Sequence, residues 1–172
     1  MQFGIPRTLY AEEHELFRET VARFLQKEVL PVYEEWEDAG KTPRSIWKRA
    51  GEVGLLGTSI PEAYGGFGGD FCFDAIVIEE LGRYGVAAPA WDVHAYIIAP
   101  ILEKFCSESQ KQEWLPKMVS GESILAIGLT EPGGGSDLKE LRTSAVGDGG
   151  EFVVNGSKTF ITNGHIADYV LL

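Results

Sequence analysis

Along the first 120 residues, apolar positions recur with the three-to-four spacing of helices. From Ala11 to about Glu37 they fall at Leu16, Phe17, Val21, Phe24, Leu25 and Val29, the stripe of an amphipathic helix. Glu12, Glu13 and Glu15 crowd its first turns, where carboxylates suit the positive end of the helix dipole. Pro31 removes one backbone bond from the interior and predicts a kink, and Asp38-Ala39-Gly40 predicts the end. Thr42-Pro43 supplies an N-cap and a first-turn proline for a helix running to Gly51 or Val53. Ser59 to Gly69, with two glycine pairs, reads as a loop; no Gly-Lys-Ser/Thr follows, so a plain turn is expected rather than a phosphate loop. Asp70 can cap a helix through about Arg83, with Phe73, Ile76, Val77 and Leu81 as its core side. A further apolar helix spans Trp91 to Phe105. The capping box Ser107-Glu108-Ser109-Gln110 opens another, which Ser120-Gly121 closes.

After Gly121 the period changes from helical to alternating. Ile124 to Thr130 reads as a short apolar strand. Arg142 to Val146 and Glu151 to Val154 flank Asp148-Gly149-Gly150, and Asn155-Gly156 separates Phe152-Val153-Val154 from Lys158-Thr159-Phe160-Ile161, a strong hairpin signal. The pattern therefore predicts an α+β chain: an all-helical domain over residues 1–122, then the first strands of an antiparallel β module over 123–172. Tyr169-Val170-Leu171-Leu172 ends on an apolar strand, so the β module is expected to be incomplete in this chain.

Composition narrows the function without defining it. The 172 residues carry a net charge of −11, and the basic side chains number 12 before residue 123 and 3 after it against 20 and 6 acidic ones, so nucleic acid is not an expected partner. The longest apolar run, Ala95 to Leu102, has eight residues and contains Pro100, far short of the roughly 20 a bilayer span needs. Met1 to Arg7 has neither a secretory nor a transit-peptide layout, and with two cysteines, Cys72 and Cys106, read as free thiols, buried or half-buried, a cytoplasmic location is expected. His14, His94 and His165 stand singly in sequence, so no metal centre is expected.

The stretch that carries chemistry is Leu129-Thr130-Glu131-Pro132-Gly133-Gly134-Gly135-Ser136-Asp137. A strand ends in a hydroxyl residue, and three glycines permit close backbone approach to a ligand, with exposed N–H groups suited to a phosphate or pyrophosphate. Downstream lies Asn155-Gly156-Ser157-Lys158-Thr159-Phe160-Ile161-Thr162-Asn163-Gly164, and upstream Gln110-Lys111-Gln112-Glu113-Trp114-Leu115-Pro116-Lys117-Met118. In this order and spacing, together with Glu28-Val29-Leu30-Pro31 and Pro61-Glu62-Ala63-Tyr64-Gly65-Gly66, the chain resembles the acyl-CoA dehydrogenase family over essentially its whole length. Trp36-Glu37-Asp38-Ala39-Gly40 and Ile76-Val77-Ile78-Glu79-Glu80 look most like the long-chain members.

The resemblance implies a flavoenzyme that desaturates an acyl-CoA thioester between its α and β carbons, with FAD as cofactor and an electron-transferring flavoprotein as partner. It also implies a β-barrel-like middle domain, a C-terminal helical domain that is absent here, and a homo-oligomer, dimer or tetramer, at full length. By the same resemblance Ile127, Leu129 and Thr130 line the flavin ring, and Gly135 and Ser136 meet the FAD pyrophosphate, with Ser136 also touching the CoA-bearing part of the substrate. Phe160 packs against the ring, Ile161 is a further cofactor-binding position, and Thr162 offers a hydroxyl toward N5. Gly134 stands where relatives commonly have alanine. The family draws its catalytic glutamate from the third domain, so no base is expected in this chain and Glu131 is assigned none. The alternatives are a flavin-free helical interaction module, and the same fold oxidising a nitroalkane or desulfinating an acyl-CoA.

Overall fold

The first stripe becomes α1 (Glu12–Phe24), which buries His14, Val21 and Phe24. Beyond it the chain stays helical but changes form: Leu25–Val29 widens into a π-helix, Leu30–Val32 tightens into a 3₁₀ turn, and α2 (Tyr33–Ala39) restores the regular helix. Pro31 is the cause. It has no N–H to give, and its ring would press on the Lys27 carbonyl of a regular helix, a conflict that the wider turn relieves. The expected kink thus takes the form of a change in helix type. Gly40, at φ 64°, ends α2 in the left-handed conformation.

α3 (Arg44–Glu52) starts where predicted, but Thr42 does not cap it. Pro43 occupies the cap position, and Thr42 is buried, its Oγ1 accepting the indole N–H of Trp47 at 3.0 Å. Pairing this buried indole N–H gains more than capping a helix end that water can satisfy. The glycine-paired loop is a plain turn, as expected. The N–H groups of Gly66, Phe67, Gly68 and Gly69 are taken by the carbonyls of Pro61, Gly57, Ile60 and Thr58, which leaves none for a phosphate.

α4 (Phe71–Tyr84) is capped by Asp70, whose carboxylate accepts the Cys72 N–H at 2.9 Å. It lies along α1, with Phe17 and Phe73 edge to face at 5.5 Å and Arg18 donating to both Glu79 and the fully buried Glu80. From Trp91 the chain is helical again, π-helical over Val93–Ile98, and then α5 (Ala99–Phe105), so a wide turn once more precedes a proline, Pro100. The capping box forms as read, with Ser107 and Gln110 exchanging bonds at the head of α6 (Glu108–Val119). Gly121, at φ 70°, lets the chain pass directly against the Trp47 carbonyl.

The strands are β1 (Leu125–Ile127), β2 (Ser144–Asp148), β3 (Glu151–Asn155) and β4 (Tyr169–Leu171). β1 is shorter than the predicted 124–130. β2 and β3 pair antiparallel from Ser144↔Asn155 to Asp148↔Glu151, turning on Gly149 and Gly150, both at positive φ. β1 and β4 pair in parallel, Leu125 opposite Tyr169, against the antiparallel expectation. Among the described residues the strands form two separate two-stranded sheets. The predicted Asn155-Gly156 hairpin does not form: Asn155 is the last residue of β3, and residues 157–161 join no ladder. Lys158 instead reaches back to Leu129 and Glu131, and the Thr159 N–H to the Thr130 carbonyl, which draws the chain away from a local turn. Ile124 belongs to the core around Trp47 and Trp91, and Leu125 to that around Ile98, Leu115 and Met118, so the start of β1 is embedded in the helices. This computed structural model describes residues 8–172, so Met1 to Arg7, read above for leader features, lies outside the described residues. Among the described residues no helix is long and apolar enough to cross a membrane.

Candidate functional site

β1 delivers the glycine-rich segment to the surface. The Gly128 N–H is the last to bond β4, donating to the Leu171 carbonyl at 2.8 Å. Leu129 then emerges to 46% exposure. Glu131 and Gly134 exchange backbone bonds at 2.9 and 3.1 Å and close a tight turn. The Glu131 side chain turns inward and is buried. It accepts from the backbone N–H groups of Arg142 (2.8 Å) and Thr143 (2.9 Å), from the Thr143 hydroxyl (2.5 Å) and from Lys158 Nζ (2.9 Å). Lys158 also donates to the Leu129 carbonyl at 3.0 Å. The Thr143 hydroxyl first, and then the Lys158 ammonium, hold the Glu131 carboxyl well below the usual carboxylate range. A carboxylate with its lone pairs so occupied is a poor proton acceptor. Its part is to tie the turn to two later segments. Reasoning from sequence missed that role, whose one signal was a lone lysine downstream in an apolar run.

The residues expected at the site fall into two groups. Ile127 and Thr130 are half-buried on the first stretch beside exposed Leu129; Phe160, half-buried Ile161 and exposed Thr162 lie on the second. The two stretches are joined by Thr159 N–H to Thr130 O at 2.9 Å and by the Lys158–Glu131 pair. Gly135 and Ser136 stand on the exposed arm beyond the turn, where Asp137 caps a short 3₁₀ turn, Leu138–Glu140. Phe160 is the unusual member. The residue is 91% exposed and its backbone is left-handed, at φ 56°, a conformation that costs a bulky residue about 1–2 kcal/mol. Beyond it, Ile161, Thr162 and Asn163 border a cavity of about 510 Å³ whose other wall includes Trp36, Lys41 and Ala88, and Asn163 is tied to the helical side by a 3.1 Å bond to the Pro89 carbonyl.

A second cluster was not foreseen. The fold gathers His14, Asp70 and Cys72 with their ligand-capable atoms within 4.8 Å of one another. His14 Nδ1 accepts the Ala11 N–H at 2.9 Å, so the ring carries its proton on Nε2 and donates it to Asp70 at 3.1 Å. Nε2 has no lone pair left for a metal, and desolvation with the Asp70 charge pushes the Cys72 thiol up, away from the thiolate form. The cluster bridges the N-termini of α1 and α4.

A helical module thus feeds one strand into two cross-bonded, partly exposed loop stretches. Residues 11–122 match the acyl-CoA dehydrogenase N-terminal domain and residues 126–172 the acyl-CoA dehydrogenase middle domain, and the chain belongs to the acyl-CoA dehydrogenase family. It is 45% identical over 166 residues to the long-chain specific acyl-CoA dehydrogenase, mitochondrial, of Sus scrofa, an alignment covering 96% of this chain and 39% of that protein. The chain thus spans about two fifths of the length of the curated relatives it matches. It superimposes on an acyl-CoA dehydrogenase from Geobacillus kaustophilus with a TM-score of 0.92 at 45% identity, covering 96% of this chain and 43% of that one. An acyl-CoA dehydrogenase complexed with FAD from Bacillus anthracis matches at a TM-score of 0.86 and 36% identity, over 97% of this chain and 29% of that one.

Proposed function

We propose that this chain forms the flavin-facing part of an FAD-dependent acyl-CoA dehydrogenase, with residues 1–122 as its helical domain and 123–172 as the opening of its middle domain. Phe160 carries the reading. An aromatic ring held almost wholly in the open, on a backbone conformation that costs energy, gains nothing from this chain's own packing. A flat apolar ligand laid on it would account for both. The neighbouring groups fit FAD: hydroxyls at Thr130 and Thr162, the exposed edge of Leu129, and the glycine turn leading to Ser136. When bound, the flavin would accept hydride from the substrate's β carbon at N5 while a base takes the α proton.

The chain's own contributions are binding and orientation. Phe160 and Leu129 would support the ring, Ile127 and Ile161 would back it, and Thr130 and Thr162 would donate hydroxyl protons to its polar edge, where charge develops on reduction. Gly135 and Ser136 would meet the pyrophosphate, Ser136 also reaching the CoA portion. The base is assigned outside these residues. A β-barrel completed by further strands, an electron-transferring flavoprotein as oxidant, a homo-oligomeric assembly and, with both cysteines unpaired, a cytoplasmic location belong to the same proposal.

The test uses the full-length protein. Phe160→Ala and Thr162→Ala should each fold normally yet bind flavin more weakly or be reduced more slowly by acyl-CoA. Wild-type flavin affinity and reduction rate in both variants would defeat the assignment. A full-length protein that is colourless and takes up no FAD would point to the helical interaction module instead.

A further inference from the structure

His94 is fully buried, yet both of its ring nitrogens are bonded to main chain, and to two different elements. Nε2 lies 3.2 Å from the Met118 carbonyl in the last turn of α6, and Nδ1 lies 3.1 Å from the backbone nitrogen of Leu125, the first residue of β1. A carbonyl only accepts and an amide N–H only donates, so the ring carries one proton, on Nε2. Burial pushes its pKa down to about 4, which keeps the ring neutral in that form. Its face is fixed by Trp47, edge-on at 5.1 Å between ring centres.

The geometry of β1 explains why an acceptor is needed there. Ile124 sends its N–H to Asp168 and Gly128 sends its own to Leu171, so by the two-residue alternation of a strand Leu125 points its N–H to the opposite side, into the helices. Buried there without an acceptor it would be costly. On the other side Asp168, which takes the Ile124 N–H at 2.8 Å, is paired with Arg44 at the head of α3. The strand is therefore gripped at two successive residues, from both sides, just before it releases Leu129, Thr130 and Glu131.

We propose that His94 is the positioning residue that sets β1 against α6 and α3, and so places the Leu129–Thr130–Glu131 stretch where the flavin-facing surface is assembled. The link to flavin rests on the function proposed above; the anchoring of β1 does not. An apolar residue of similar size would fill the same space but leave Leu125 unpaired. A glutamine would not, because its amide presents an acceptor and a donor on one carbon, spaced much as the two ring nitrogens are.

The test compares His94→Phe, His94→Gln and a core control on α4, Val77→Ala, in the full-length protein. Two readouts are taken: hydrogen exchange of the Leu125 amide relative to the amides of α4, and flavin affinity by titration. In His94→Phe the Leu125 amide should exchange at least about tenfold faster and flavin should bind at least about tenfold more weakly. His94→Gln should restore both to within about threefold. Val77→Ala should lower global stability while moving neither ratio. The proposal is overturned if His94→Phe leaves the Leu125 ratio unchanged, if it loosens Leu125 with wild-type flavin affinity, or if the core control shifts both readouts equally. Should His94→Phe not fold, His94→Asn, whose shorter arm cannot span both partners, is expected to loosen Leu125, and an unchanged ratio there overturns the proposal. If the wild type binds no flavin, the proposed function fails, while the exchange comparison still decides the anchoring.

Discussion

Replacing Phe160 by glycine should separate folding from binding. The left-handed backbone at this position costs an L-residue about 1–2 kcal/mol, and glycine removes that cost. The residue is 91% exposed, so of the roughly 1.5–3 kcal/mol that full burial of such a side chain is worth, only a few tenths are present to be lost. Against the gain stands the extra freedom of glycine in the unfolded chain, about 0.5–1 kcal/mol. The sum leaves apo-protein stability between unchanged and about 1 kcal/mol higher, where truncating a core phenylalanine would cost about 3–5. Urea unfolding of the apo form of the full-length protein measures the first quantity, and flavin titration the second, which should fall at least about tenfold. Phe160→Ala, which loses the ring and keeps the strain, should match the glycine variant in flavin affinity and be the less stable of the two. A loss of more than about 1 kcal/mol in apo Phe160→Gly would show that protein rather than ligand covers the ring. That result, or wild-type flavin affinity in both variants, would refute the reasoning.

Acid should weaken the wild type through His94: with a folded pKa of about 4 against roughly 6.5 unfolded, its contribution is intact above pH 6.5 and drains away toward pH 4, about 3 kcal/mol in all. Urea midpoints across that window should fall more steeply in the wild type than in His94→Gln. Asp74, buried beside the Thr58 hydroxyl that donates to it, has its carboxyl raised chiefly by desolvation, so the fold disfavours its charge as pH rises through the carboxylate range. Asp74→Asn should therefore melt higher than wild type at pH 7, and the gain should vanish in acid. Gly121→Ala should cost more than about 3 kcal/mol in denaturant titration, because the position needs positive φ and a Cβ there would run into the Trp47 carbonyl. The 172-residue chain alone should show no acyl-CoA turnover with FAD and a dye acceptor, since the only carboxylate in its bonded stretches, Glu131, is occupied by four donors; any turnover would place the base inside it.

What could be read from sequence was what is decided locally. The stripe of α1, the Asp70 cap and the Ser107–Gln110 box each involve residues within a turn or two, and all are found, except that Leu16 of the expected stripe is exposed. The motif also led to the two stretches that the structure cross-bonds. The misreadings share a different origin: a demand of tertiary packing, in most cases from a distant partner, outbid a local preference. Thr42 is a sound cap in isolation but is needed by Trp47. Asn155-Gly156 is a strong turn signal, overridden by the ion pair of Lys158 with Glu131, 27 residues away in sequence. The parallel pairing of β1 with β4 depends on 41 intervening residues returning along the same direction, which no period within either strand encodes. His94, read as one histidine among three scattered ones, acquires meaning only from carbonyl and amide groups 24 and 31 residues further on.

The wide turns before Pro31 and Pro100 bear on how this chain tolerates insertion and deletion. A π-helical turn holds, in effect, one residue more than the regular helix, and each residue advances a helix by about 100°. The turn at Leu25–Val29 therefore acts as a phase shifter: it keeps Val21, Leu25 and Val29 on the buried side and hands the helix on so that Trp36 also faces inward. Deleting one residue there would remove the extra residue of the wide turn while Pro31 still presses on the carbonyl four residues before it. Every side chain of α2 would then rotate by that same step, carrying Trp36 out of the core and away from the wall it shares with Ile161 and Asn163. A deletion that barely lowers helix content would thus misalign a surface more than 120 residues downstream, while the same deletion in the regular turns of α1 would disturb its contact with α4 first.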